Sequence, residues 1–252
     1  MDNPLPPLAA SVVRLRELVA PYDDEKLESP SYDSEWSIAD VLSHLGSGAV
    51  LMSRRLEATL AGETLPDDAA QPVWDEWNAK TPRAKADDSL AEDERLLKDF
   101  EAVSDADRDR IEFPFGPLSV SFETAAGLRL NEHALHTWDI EVMSDPGAVL
   151  PPESAAVIVD NLGLIARFAA KPTGAEREVR VRTSHPVRHF TVRLTPESSE
   201  LLEGDAGKQP DLELPAEAFC RLIYGRLDPD HSPPVPANGE VLELLRRAYP
   251  GL

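Results

Sequence analysis

Leu128-Arg129-Leu130-Asn131-Glu132-His133-Ala134-Leu135-His136-Thr137-Trp138-Asp139 puts ionisable groups where a helix should be driest. The run follows Gly127, and its apolar spacing predicts a helix from about Phe122 to Met143. One turn separates Glu132 from His136, so the two side chains share a side. Ala125, Leu128, Leu135 and Met143 fall within about 60° of Glu132 on the same wheel, which sets both polar groups inside the apolar stripe. A lone carboxylate buried there costs roughly several kcal/mol even after relaxation, so Glu132 is expected to have a partner. A cation shared with His136 is one candidate; an ion pair with Arg129 or Arg54 is the other. His133 lies about 100° away on the wheel and is left out of the set.

A third ligand candidate stands far upstream. In Trp36-Ser37-Ile38-Ala39-Asp40-Val41-Leu42-Ser43-His44-Leu45-Gly46, Ser37 followed by Asp40 reads as an N-cap with a first-turn acid. The helix it opens, Ile38 to about Leu60, carries a stripe of Ile38, Leu42, Leu45, Ala49, Met52, Leu56 and Leu60 and ends at Ala61-Gly62. His44 lies at the stripe's margin, and Gly48 one turn later leaves room for something to approach. Two histidines and a glutamate with a fourth position open make a catalytic zinc set rather than a closed structural one. Zinc so held can present water for hydrolysis or keep a thiol as thiolate, and the residues alone leave both open. Asp139 is either a group that orients His136 or a local helix partner. Trp138 reads as packing.

Composition narrows the partners. With 25 basic and 46 acidic residues the formal charge is -21, which argues against nucleic acid and against an anionic membrane surface. No run of about 18 apolar residues and no basic-then-apolar amino terminus is present, so a cytoplasmic protein is expected. Cys220, in Ala218-Phe219-Cys220-Arg221-Leu222-Ile223, reads as a core cysteine because no base stands near it in sequence.

Along the chain, Leu8, Val12, Leu15 and Val19 predict a first helix that Pro21 stops. Residues 23–34, with Pro30, Asp33 and Ser34, predict a loop. Leu90, Leu96, Leu97 and Phe100 suit one helix or two between about Val73 and Val103, with Pro82 near a break and the charges on a solvated face. Phe113-Pro114-Phe115-Gly116-Pro117-Leu118 is too rich in proline for a helix interior and is expected to cross the bundle. Pro151-Pro152 opens another helix, about Glu153 to Ala170. These helices predict a four-helix bundle over residues 1–172. After Pro172 the pattern changes to period two in Glu178–Arg182 and His189–Leu194, with Asp211–Leu214 a further strand and helices near Ala216–Ile223 and Gly239–Ala248. Residues 173–252 are therefore expected to form a small α+β domain, and the fold class is α+β.

The Trp36–Gly46 segment, Glu132-x-x-x-His136-Thr137-Trp138-Asp139-Ile140, and the tail from Leu222-Ile223-Tyr224-Gly225-Arg226 to Tyr249-Pro250-Gly251 resemble the mycothiol-dependent maleylpyruvate isomerase family. The resemblance implies a DinB-like metal-binding bundle followed by a sterol-carrier-protein-like domain, with zinc on His44, Glu132 and His136. It also implies mycothiol, a cytoplasmic thiol of actinobacteria, as cosubstrate for a small electrophile, in cis-trans isomerisation or S-transfer. A zinc hydrolase and a non-catalytic metal-binding regulatory module are the competing readings. Arg226 is the candidate carboxylate clamp, since a guanidinium suits bidentate recognition, and Arg221 is its backup.

Overall fold

The computed structural model describes residues 3–33, 35–204, 207–233 and 239–251; Ser34 of the expected loop lies outside them. The chain divides into two units, residues 3–148 and 149–252.

In the first unit, α1 (Leu5–Val19) is followed by the short α2 (Asp24–Glu28), α3 (Ile38–Ala61), α4 (Ala70–Asn78), α5 (Pro82–Ala102), α6 (Asp105–Arg108), the strands β1 (Glu112–Phe115) and β2 (Leu118–Ser121), and α7 (Phe122–Glu141). The bundle is built from α1, α3, α5 and α7, with α1 and α3 each packed on both α5 and α7. Leu8, Val12, Leu15 and Val19 are all buried, and α1 begins earlier than expected because Pro6 and Pro7 fall in its first turn, where proline costs no hydrogen bond. Helix α3 starts at a capping box. The Ser37 hydroxyl accepts from the Asp40 N–H at 3.1 Å, and the Asp40 carboxylate accepts from the Ser37 N–H at 3.2 Å. It stops at Gly62, whose φ of 75° needs no side chain to be avoided. Gly46 is required by packing: a Cβ there would lie 2.1 Å from the Trp77 ring, so only glycine lets α4 seat this indole against α3. The proline-rich crossing is a hairpin, with Phe113 facing Val120 and Gly116 in its turn at φ 56°. It delivers the chain to Ser121, whose hydroxyl caps α7.

Helix α7 is the bundle's centre. Phe122, Ala125, Ala126, Leu130, Ala134, Trp138 and Ile140 are all buried, and so are Arg129, Asn131, His133, Thr137 and Asp139. Its less buried positions include Thr124, Leu128, Glu132 and His136, spaced by four. Glu132 and His136 therefore do not lie in the driest stripe, as the wheel suggested. They are partly exposed positions on a helix buried nearly all round, where an apolar-moment argument has little contrast to work with.

The second unit contains α8 (Pro152–Ala169), β3 (Arg177–Ser184), β4 (His189–Leu194), β5 (Ser199–Glu203), β6 (Leu212–Pro215), α9 (Ala216–Ile223) and α10 (Gly239–Ala248). The sheet order is β5-β4-β3-β6, with β3 parallel to β6 and the other pairs antiparallel. Helix α8, expected in the bundle, packs instead on α9 and β5. The division thus falls between Ala148 and Val149 rather than near Pro172. Periodicity shows that a helix has a buried face but not what covers it. Cys220 is buried, its Sγ 3.9 Å from the Ala155 carbonyl, and burial pushes its thiol well above the ordinary range, as suits a core residue. No helix among the described residues is long and apolar enough to cross a membrane.

Candidate metal centre

His44 comes from the second turn of α3, Glu132 and His136 from successive turns of α7. His44 Nε2 is 3.0 Å from Glu132 Oε2, and His136 Nε2 is 3.6 Å from the same oxygen. The imidazole rings lie edge to face, with centroids 4.7 Å apart. One ligand atom from each of the three residues lies within 4.8 Å of the others. The side chains of His44 and Glu132 are each 39% exposed and that of His136 is 13% exposed, so the cluster is reachable from solvent.

Behind His136, Asp139 Oδ2 lies 2.8 Å from Nδ1. This carboxylate is buried, so the pair holds the ring with Nδ1 engaged and Nε2 turned toward Glu132. In front stands Trp36, the residue before the N-cap of α3. Its ring centroid is 5.3 Å from that of His44 and 6.1 Å from that of His136, nearly parallel to the latter at 19°. Sequence reading assigned Trp36 no role, although its place just outside a capping box made it a natural lid for the first turns. Burial alone would raise the Glu132 carboxyl, but hydrogen bonds from His136 and His44 and their charge hold it well below the usual range. Burial alone would lower His136, yet its bonds to Asp139 and Glu132 raise it.

The donor set fits zinc: two imidazole nitrogens and a carboxylate oxygen converge, and three protein ligands leave a fourth place for an exogenous group. The alternative ion pairs for Glu132 do not form with Arg129. That guanidinium is buried and bonds Asp93 on α5 and, at 2.8 Å, the Leu45 carbonyl. The space at Gly48 is filled by the same group, since a Cβ there would meet Arg129 Nη1 at 2.9 Å. His133 is fully buried beside the same carboxylate, with Nε2 3.3 Å from Asp93 and Nδ1 2.8 Å from the Ser11 hydroxyl. Trp138 is buried with its indole N–H on the Ala148 carbonyl at 2.8 Å, a packing role.

The arginines stand in the second unit. Arg221 is 1% exposed, with Nε 2.9 Å from Glu217 and Nη1 donating to the His231 carbonyl at 2.8 Å, which makes it a structural residue and not a clamp. Arg226 is partly buried and donates to the Tyr224 carbonyl at 3.0 Å. The two parts of the tail motif meet here: Gly225 has φ 71°, and a Cβ on it would lie 2.5 Å from Gly251.

Fold and cluster define a four-helix bundle with a His2Glu candidate metal centre, joined to an α+β unit. Residues 8–141 match the family described as mycothiol maleylpyruvate isomerase N-terminal domain, and the chain belongs to that family. Among solved structures it is similar to a mycothiol-dependent maleylpyruvate isomerase, at 16% identity and a TM-score of 0.63 over 89% of this chain and 88% of that one. A variant of such an enzyme with a histidine replaced by alanine matches at 15% identity and a TM-score of 0.64, over 89% and 88% of the two chains. Comparison with curated proteins finds no match.

Proposed function

We propose that the protein is a zinc-dependent enzyme that uses mycothiol as cosubstrate on a small electrophile, by cis-trans isomerisation or S-transfer. The observation that carries this reading is the convergence of His44, Glu132 and His136 at partly exposed positions, in a chain of this family. His44 and His136 would hold the ion through Nε2 and Glu132 through a carboxylate oxygen. Zinc supplies a Lewis acid that keeps a thiol as thiolate near neutral pH, the form able to add reversibly to an electron-poor double bond. Asp139 fixes the tautomer and direction of His136. Trp36 stands beside both histidine rings and restricts the room around them. Arg226 is proposed to bind a carboxylate of the electrophile.

The test is elemental analysis of the purified chain combined with calorimetric titration of mycothiol, and with turnover of maleylpyruvate with and without the thiol. About one zinc per chain is expected, with thiol binding that vanishes on metal removal and in His44→Ala, and turnover only when thiol is added. Thiol binding that survives metal removal overturns the reading. Hydrolysis of the substrate without thiol replaces it with a zinc hydrolase using metal-bound water.

A further inference from the structure

The polar cluster in the bundle interior is separate from the ligands but joined to the turns that carry them. Arg129 sits on α7 one turn before Glu132, and its guanidinium does two things at once. It pairs with Asp93, which is 2% exposed on α5, and it donates at 2.8 Å to the carbonyl of Leu45, the residue after His44 on α3. Room for that reach exists because position 48, one turn after His44, has no Cβ. His133 extends the cluster to α1 through Ser11, 2.8 Å from its Nδ1. All four bundle helices thus meet at one buried polar node, a turn away from the candidate ligands.

We propose that Arg129, held by Asp93, is a positioning residue for the metal set: it fixes the His44 turn of α3 against the Glu132 and His136 turns of α7. The inference rests on the metal reading above. His44 is the ligand that comes from a different helix, so the separation of α3 from α7 decides whether three atoms converge or two. Both bonds leave one nitrogen, Nη2, whose two N–H directions are fixed by the guanidinium plane, whereas an ammonium on a flexible stem is a point charge with no such fixed directions. Apolar packing alone leaves axial sliding and small changes in separation cheap, and a directional bond from one helix to the other's backbone does not.

The experiment measures zinc affinity by chelator competition on the full-length chain, with helical circular dichroism and thermal midpoint recorded in parallel. Arg129→Lys is expected to weaken zinc roughly 10–100-fold while the chain stays folded, the range found for groups that orient ligands without touching the metal. Ser53→Ala removes another α3–α5 bond, a partly buried one to Asp99 at 2.9 Å, and is expected to leave zinc affinity unchanged. Should Arg129→Lys fail to fold, Gly48→Ala carries the test. It deletes no side chain and favours helix, but its Cβ would press on Arg129 Nη1 and so displace the guanidinium from Asp93 and the Leu45 carbonyl, and it is expected to weaken zinc in the same direction. Unchanged zinc affinity in the folded Arg129 or Gly48 variant overturns the proposal, as does an equal loss in Ser53→Ala. A wild-type chain that binds no zinc overturns the metal reading itself, and this inference with it.

Discussion

Asp93→Ala is expected to lower the stability of the helical unit by about 3–5 kcal/mol, read from the urea midpoint, because it strands a buried guanidinium. The carboxylate is 2% exposed and lies against both Arg129 and His133. Burial alone would raise its pKa, but the charges of His133 and Arg129 outweigh it and hold the group below the usual range. Its contribution is therefore present above the ordinary carboxylate pKa and is lost as pH falls through the depressed one. The exposed pair Arg95–Glu57, with side chains 59% and 68% open to solvent, sets the contrast, since pairs of that kind are worth at most about 1 kcal/mol. Replacing the ion pair, as Asp93→Leu with Arg129→Met, is expected to recover part of the loss, because the stranded guanidinium is removed while His133 still loses its carboxylate. A full-sized midpoint in Asp93→Ala would show that the pair contributes nothing.

Zinc at a thousandfold excess over its dissociation constant is expected to add about 4 kcal/mol to the same unit, and this increment should disappear in Glu132→Ala. It should also depend on pH. In the metal-stripped chain, the raised His136 contributes stability below its unfolded pKa and loses it as pH rises through the folded one; the depressed Glu132 contributes above its own unfolded pKa and loses it on acidification. The pair therefore supports the stripped chain best between about pH 5 and 6.5, where the unfolded groups bracket it. Zinc requires unprotonated imidazoles, so its increment grows from pH 6 to pH 8. Thermal midpoints of stripped and loaded protein across that range check the sign, and a zinc shift that shrinks with rising pH contradicts it.

The capping box at Ser37 and Asp40, the stop at Gly62 and the one-turn spacing of Glu132 and His136 were legible because each is local. The convergence of His44 on that pair follows from no local pattern and is visible only in the geometry. Asp93 was not found. Among the acids of residues 82–102 it reads as one more solvated charge, yet Ala86, Ser89, Asp93, Leu96 and Phe100 make a stripe of alternating three- and four-residue steps, all of it buried. An acid inside such a stripe was the signal. Helix α2 was missed because five residues carry too little periodicity, and the β1–β2 hairpin because prolines mask strands at an edge. In sequence Gly48 suggests an opening beside His44, whereas tertiary packing fills it with Arg129.

The seam between Ala148 and Val149 has a practical corollary for dissecting the molecule. A polypeptide cut after Ala148 keeps α1, α3, α5 and α7 with His44, Glu132, His136 and Asp139, and is expected to elute as a discrete species that captures zinc. One cut at Pro172 drags along α8 stripped of α9 and β5, baring Ile158, Leu162 and Ile165 to water. Size-exclusion chromatography of the two should show the longer product self-associating through that strip, so the larger fragment is the worse-behaved one.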